Sequence, residues 1–244
     1  CVDSVLRDLP RDGVLIVGDD GSTDGSARFL RDNYGDHERV VLRINAINMG
    51  LTNNLIGCLD EVQKLGVDLV GFCGGDDYFD AGRIDTIVSF FKDNDFVDIV
   101  GHNMAVVDDT SKKMVFCYDE CVAWSRDWHN PSVNQLLIYG LPFCSSAMVF
   151  KVDCCRYFDA NIPVISDFGF LIKAVIEARV IANCRDAFGY YRRHNGNVSK
   201  KIKLLDRGRS QWEVFKMYPL SVRLKFMTLA AAGFLFRGFL RSVG

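Results

Sequence analysis

The chain has 244 residues, a length that suits one α/β domain of the larger kind or two small ones. With 49% hydrophobic and 25% charged residues it is neither a disordered chain, a collagen-like repeat nor a coiled coil. A formal net charge of −2 gives the whole no pull on nucleic acid, yet Arg192 to Gly244 carry twelve Lys or Arg against Asp206 and Glu213. Nine cysteines form no CxxC couple, and His37, His102, His129 and His194 lie near none of them. They read as small buried hydrophobes of a reducing compartment rather than zinc ligands.

Taken in chain order, Cys1 to Leu9 reads as the back half of a helix, without a methionine before it. Val14–Val17 is a buried strand, followed by Asp/Gly/Ser turn chemistry and a helix from about Asp24 to Arg31. Val40–Ile44 is the next strand; Asn48-Met49-Gly50 then leads into a helix over Thr52–Lys64. Val67–Cys73 is a third strand, ending at Gly74-Gly75-Asp76-Asp77, and Arg83–Lys92 is helical. Strands rich in β-branched residues alternating with helices predict βαβ units and a parallel sheet covered on both faces. The second half is less regular. Strands are expected at Val97–Val107, Met114–Tyr118, Cys144–Phe150 and Val180–Tyr191, the last broken near Arg185, with a helix over Asp167–Ala178. With no internal repeat or low-complexity linker, this is one α/β unit with a mixed-sheet half, over residues 1–203.

Residues 204–244 form a separate basic and apolar tail. Phe226–Phe236 is nearly free of polarity and is flanked by Arg223, Lys225, Arg237 and Arg241. Eleven residues fall short of the roughly 20 that cross a bilayer. A basic amphipathic helix of this kind lies in the interface of an anionic membrane; the competing reading is a terminal helix packed on the protein.

Ligands of open α/β sheets sit outside the carboxyl ends of the strands, where this chain carries Asp19-Asp20, Asn48 and Asp76-Asp77. Carboxylates in Asp19-Asp20-Gly21-Ser22-Thr23-Asp24 suit a nucleobase N–H and ribose hydroxyls; the same residues also make an ordinary strand–helix turn capped by Thr23 or Asp24. The loop is acidic and lacks the GxGxxG or GxxxxGK spacing of a phosphate cradle. Adjacent Asp76 and Asp77 repel each other unless a divalent cation such as Mg2+ or Mn2+ neutralises them, or unless the turn is simply solvated. Ser166-Asp167 opens a helix and reads locally as an N-cap.

In this order and spacing the chain resembles the inverting family 2 glycosyltransferases of the GT-A fold, from Cys1 to about Ser199. The residues that carry the resemblance are Val14–Asp24, Asn48–Thr52, Gly74–Tyr78 with Arg83-Ile84, Ser145–Lys151, Ile165–Phe168, and Tyr191–His194 with Ser199. The fold it implies is α/β, a Rossmann-like nucleotide-diphospho-sugar transferase with a mixed sheet flanked by helices. The resemblance implies that Asp19, Asp20, Ser22, Asn48, Gly50, Asp76 and Arg193 bind the nucleotide, Asp20 with Asp19 meeting the base and Arg193 with His194 the diphosphate. It implies a Mn2+ or Mg2+ site at Asp76, Asp77 and His194, and Asp167 as the general base, with the depressed pKa of a carboxylate at a helix N-terminus.

Three departures stand out: Gly74 replaces the first Asp of the DxD motif, Ser166 replaces a Glu, and Ile56 an Asn. The family's first strand is expected upstream of Cys1. The implied activity is inverting transfer from a nucleotide-diphospho-sugar, a UDP-sugar, to a glycan or lipid-linked acceptor in cell-surface polysaccharide or lipopolysaccharide synthesis. No nucleic acid is expected as partner, and the place is the cytoplasm, at the inner face of the membrane. The alternatives are a catalytically inactive nucleotide-sugar- or partner-binding module with the same fold, and a nucleotidyltransferase.

Overall fold

The computed structural model describes residues 1–109, 111, 114–117, 129–139, 141–162, 166–197, 210, 212–216 and 223. The apolar run 226–236 and most of the expected tail, 204–244, lie outside them.

The chain opens with α1 (Val2–Asp8), β1 (Leu15–Asp19), α2 (Ser26–Tyr34), β2 (Val40–Ile44) and α3 (Leu51–Lys64). Next come β3 (Leu69–Gly71), β4 (Tyr78–Phe79), α4 (Arg83–Asp93), β5 (Ile99–Asp108) and β6 (Met114–Cys117). It continues with α5 (Val133–Tyr139), β7 (Met148–Lys151), α6 (Ser166–Ile176) and β8 (Ile181–Arg193), with 3-10 turns at Ser145–Ala147 and Val152–Tyr157.

The βαβ expectation holds for β1 and β2, which pair in parallel from Leu15↔Val40 to Asp19↔Ile44. It does not extend to β3. That strand pairs antiparallel with β7, in a six-stranded sheet of order β3-β7-β5-β8-β4 with β6 also on β5. The reason lies in the second half of the chain, which supplies the neighbours: β7 returns against both β3 and β5, while β8 runs parallel to β5. The β5–β8 register jumps from His102↔Cys184 to Asn103↔Phe188, which is the break expected near Arg185.

The segment expected as a strand over Cys144–Phe150 begins instead as the 3-10 turn, closed by Ala147 N–H to Cys144 O at 3.0 Å. At α2 the cap is Gly25, with φ +93°; Asp24 accepts the Ser26 N–H one residue inside the helix. The sequence reading missed α5, although Ser132 and Gln135 exchange the reciprocal bonds of a capping box there.

Alternation along β5 and β7 divides the core between two faces of the sheet. Ile99, Met148 and Phe150 face a cluster with Phe158, Phe170, Leu171 and Ile172, closed by α6. Val100 and Val149 face Ile87 and Phe91 of α4. The aromatic centre of the first cluster is tight: the Phe158 and Phe170 rings are 4.6 Å apart and those of Phe150 and Phe170 4.8 Å.

Polar ties fix the helices around this core. Asp8 at the end of α1 is buried and accepts from Arg83 Nε at 3.1 Å and from the Ile84 N–H at 3.1 Å, which joins α1 to α4. The Arg83 guanidinium lies 3.5 Å over the Phe79 ring and donates from Nη1 to His102 Nε2 at 3.0 Å. His102 Nδ1 faces the Asn103 carbonyl at 2.9 Å, an acceptor only, so Nδ1 carries the proton.

Among the described residues seven cysteines carry free thiols: Cys154, Cys155 and Cys184 are buried, as the sequence reading expects, Cys58, Cys73 and Cys144 are part-buried, and Cys1, against that expectation, is exposed. Cys117 belongs to β6, and Cys121 lies outside the described residues. Among the described residues no helix is long and apolar enough to cross a membrane.

Candidate active site

Two turns follow the carboxyl ends of β1 and β2 and lock together. Gly21 has φ +72°, and a Cβ there would lie 2.6 Å from the Ile47 carbonyl carbon, so only glycine allows the two backbones to touch. Asp20 draws the second turn inward: Oδ1 accepts from Asn45 Nδ2 at 2.9 Å and the Met49 N–H at 2.8 Å, and Oδ2 accepts the Gly50 N–H at 2.9 Å. Asn48 Oδ1 accepts the same Gly50 N–H at 3.1 Å. Asp19, buried, accepts the Ser22 N–H at 3.0 Å. Behind these lies a polar network the sequence reading did not find. Arg43 donates to Asn45 at 2.7 Å and to Asn54 at 3.1 Å, and Asn54 donates to Gly18 O at 3.0 Å. The asparagines flanking Asn48-Met49-Gly50 were its only sequence signal.

The third turn follows β3. Cys73, pushed up to about 12 by burial, leads into it, and its thiol lies 3.5 Å from that of Cys1. The turn closes by Asp77 N–H to Gly74 O at 3.0 Å. Its two carboxylates diverge. Asp76 is part-exposed, and one oxygen, Oδ2, meets both His194 Nε2 and Asn197 Nδ2 at 2.8 Å. The segment after β8 is itself bent by bonds to His194: its N–H donates to Asn197 Oδ1 at 2.6 Å, and its Nδ1 accepts the Gly196 N–H at 3.0 Å. With Nδ1 accepting, Nε2 holds the proton shared with Asp76.

Asp77 points the other way, 1% exposed. Its Oδ2 accepts the Ser146 hydroxyl at 2.5 Å and its Oδ1 the Arg192 N–H at 3.1 Å. Burial pushes Asp77 up to about 6, against the pull of those two donors. The sequence reading paired Asp77 with Asp76 as metal carboxylates; the structure brings Asp76 and His194 together and turns Asp77 inward.

Asp167 is the second residue of α6, part-buried, and its Oδ1 accepts the Phe168 N–H at 2.9 Å. The expected depressed pKa is reversed. Burial raises it, and the bonds from backbone N–H groups of the first turn only partly offset this. Burial pushes the Cys144 thiol up to about 12, and the charges of Asp77 and Asp167 both add to the push. Arg193 ends β8 exposed, while Arg192 holds Asp109 at 2.9 Å.

Among the described residues no three His, Cys, Asp or Glu side chains converge as a metal site. The protein therefore offers two groups, Asp76 and His194, 2.8 Å apart. A hard divalent cation held by this pair would take its further oxygen ligands from water and phosphate.

Strands ending in acidic turns, a mixed sheet and a carboxylate–histidine pair beside the third turn define the GT-A glycosyltransferase class. The sequence model for "Glycosyl transferase family 2" matches residues 1–152, and the chain belongs to that family. An uncharacterized glycosyltransferase of Haemophilus influenzae is 23% identical over 207 residues, which cover 81% of this chain and 62% of that protein. A Bacillus subtilis relative is 26% identical over 157 residues, 64% of this chain and 51% of the relative. The chain thus spans between half and two thirds of the curated relatives it matches. A crystal structure of S. aureus TarS shares the fold with a TM-score of 0.62 at 12% identity, covering 93% of this chain and 39% of that one.

Proposed function

We propose that the protein transfers a sugar from a nucleotide-diphospho-sugar, a UDP-sugar, with inversion at the anomeric carbon. The acceptor is a glycan or lipid-linked glycan of cell-surface polysaccharide or lipopolysaccharide assembly. The observation that carries this reading is the grip of His194 and Asn197 on Asp76 at the carboxyl end of β3. It supports a metal-bound diphosphate beside the third turn, since open α/β sheets take their ligands outside the carboxyl ends of the strands.

In this reading the turn of Asp19, Asp20 and Ser22, with Asn48 and Gly50, receives the nucleoside. Asp76 and His194 would hold Mn2+ or Mg2+, the imidazole proton moving from Nε2 to Nδ1 and the Gly196 N–H bond to Nδ1 opening as it does, and exposed Arg193 would meet the diphosphate. The cation, when bound, supplies positive charge to the departing nucleotide. Asp167 takes the acceptor hydroxyl proton as that oxygen attacks. Its raised pKa suits the task, because a carboxylate that burial makes more basic accepts a proton more readily.

The tail over 204–244, with its basic and apolar run, would hold the enzyme at the inner, cytoplasmic face of the membrane. Deletion of Leu220–Gly244 should release it from vesicles containing phosphatidylglycerol, and equal binding without the tail would remove that part of the reading.

Calorimetric titration of UDP, GDP and dTDP, with and without Mn2+, tests the donor site. UDP binding that needs Mn2+ and disappears in Asp76→Ala supports it; binding of no nucleotide overturns it in favour of a fold kept for another partner. Asp167→Asn should abolish turnover and leave UDP affinity within about twofold. Turnover that survives the change removes Asp167 as the base.

A further inference from the structure

Three segments far apart in sequence meet at the Asp77 carboxylate. The turn 74–77 brings the acid itself, the 3-10 turn after Cys144 brings the Ser146 hydroxyl, and the end of β8 brings the Arg192 N–H. Ser146 is buried and works in both directions, donating to Asp77 Oδ2 and accepting the Gly74 N–H at 2.9 Å. The turn is thereby held from below at Gly74 and Asp77, while its other carboxylate, Asp76, faces outward.

Position 74 makes room for this. A Cβ there would lie 2.9 Å from Asp77 Oδ2 and 3.3 Å from Ser146 Oγ, closer than side-chain carbons normally come to either oxygen. A glycine in place of the usual Asp leaves the space into which Asp77 folds. Both Asp77 oxygens accept from protein donors and almost none of its surface is exposed, so it has no face to offer a substrate ion.

We propose that Asp77 is a positioning residue and not a metal ligand: with Gly74 and Ser146 it couples the Asp76 turn to the Arg192–Asn197 segment. The coupling sets where His194 and Asn197 meet Asp76. The two sides are joined twice, once underneath through Asp77 and the Arg192 N–H, and once on top through Asp76. Asn197 reinforces the joint, since its Nδ2 also donates to the Arg192 carbonyl at 3.0 Å. Losing the lower joint leaves the upper one without its registration. Its consequence for Mn2+–UDP rests on the reading of Asp76 as the metal carboxylate; the mechanical coupling does not.

Hydrogen exchange of the full chain, wild type against Ser146→Ala, Asp77→Asn and the double variant, tests the coupling directly. Ser146 has no hydrogen bond to residues 192–197, so the decisive signal is faster exchange in peptides covering 192–197 when only Ser146 is changed. We expect at least a tenfold acceleration there and at Gly74, on the scale of one charge-assisted hydrogen bond, with the double variant no worse than the more severe single one. Unchanged exchange at 192–197 in Ser146→Ala, or effects that add in the double variant, would overturn the proposal. Thermal unfolding confirms that each variant is folded, and Ser146→Ala, the milder change, decides the matter if Asp77→Asn does not fold.

Mn2+-dependent UDP titration supplies the second readout. Ser146→Ala should weaken UDP binding about tenfold but leave its dependence on Mn2+ intact, whereas Asp76→Ala removes that dependence. Full UDP affinity in both Ser146→Ala and Asp77→Asn would overturn the positioning role. Loss of Mn2+ dependence in Asp77→Asn with full affinity in Ser146→Ala would make Asp77 a ligand after all. Failure of the wild type to bind UDP with Mn2+ would strike the donor reading, while the exchange data still decide the coupling.

Discussion

Acid should weaken this protein through His102 before most of its carboxylates titrate. The imidazole is buried and neutral, its Nδ1 proton given to the Asn103 carbonyl and its Nε2 lone pair receiving the Arg83 guanidinium. Protonation would set a cation 3.0 Å from another cation, both inside the core, and burial together with Arg83 holds the pKa down to about 3. Asp8, the one carboxylate bonded to Arg83 among the described residues, takes its Nε, while His102 meets Nη1. In the unfolded chain the same ring titrates near its ordinary 6.5. Between these values the unfolded state binds the extra proton, so stability is full above pH 6.5 and is lost as pH falls through that value toward 3. From pH 7.5 to pH 5 the loss works out at about 2 kcal/mol. Urea unfolding of wild type and His102→Gln at the two pH values measures it, because Gln can accept from Arg83 without titrating. The wild type should lose about 2 kcal/mol more than the variant over this interval; equal losses would refute the buried neutral imidazole.

Asp8→Asn leaves the Arg83 guanidinium buried without its counter-charge and should cost about 3–5 kcal/mol in urea unfolding at pH 7.5, a loss below 1 kcal/mol being incompatible with the buried pair. Gly21→Ala pushes a methyl group into the Ile47–Asn48 backbone at a positive φ. It should destabilise by about 1–3 kcal/mol and weaken UDP binding together, since it parts the two nucleoside-side turns. UDP affinity equal to wild type in a measurably destabilised Gly21→Ala would separate those turns from the donor site. Phe150→Ala opens a cavity among Phe72, Phe158 and Phe170 and should cost about 3–5 kcal/mol by thermal or urea unfolding without altering nucleotide selectivity.

Much of the fold was legible because its signals are local. Val40–Ile44 alternates nothing and breaks nowhere, and it emerges as β2 with those limits; the interruption expected near Arg185 is the register jump opposite His102 and Asn103. The three turns, two acidic and one rich in asparagine, were equally visible, since Asp, Asn and Gly after an apolar run leave few conformations open. What stayed hidden depends on partners remote in sequence. β4 is two residues long and exists only because β8 pairs with it, and β3 turned antiparallel because β7 arrives some eighty residues later. The inward turn of Asp77 required a serine 69 positions away, and Asn197, which grips Asp76, sits in a stretch with no periodicity to mark it. The pKa of Asp167 went the other way from expectation because its position at a helix start is readable from sequence while its burial is not.

The pairing of Asp76 with His194 and Asn197 spans 118 and 121 residues, and this separation governs when the site can exist during synthesis. At about 5–20 residues per second, the ribosome needs about 6–24 s after making Asp76 to deliver the groups that hold it. Through that interval β1, β2 and α3 can already close on one another, while the acidic third turn and the edges of β3 and β5 wait for strands not yet made. A nascent chain of this protein therefore passes through a stage in which the first two turns are complete and the third is open. The last stretch of β8 and the bend at His194–Asn197 complete both the sheet and the site in one event.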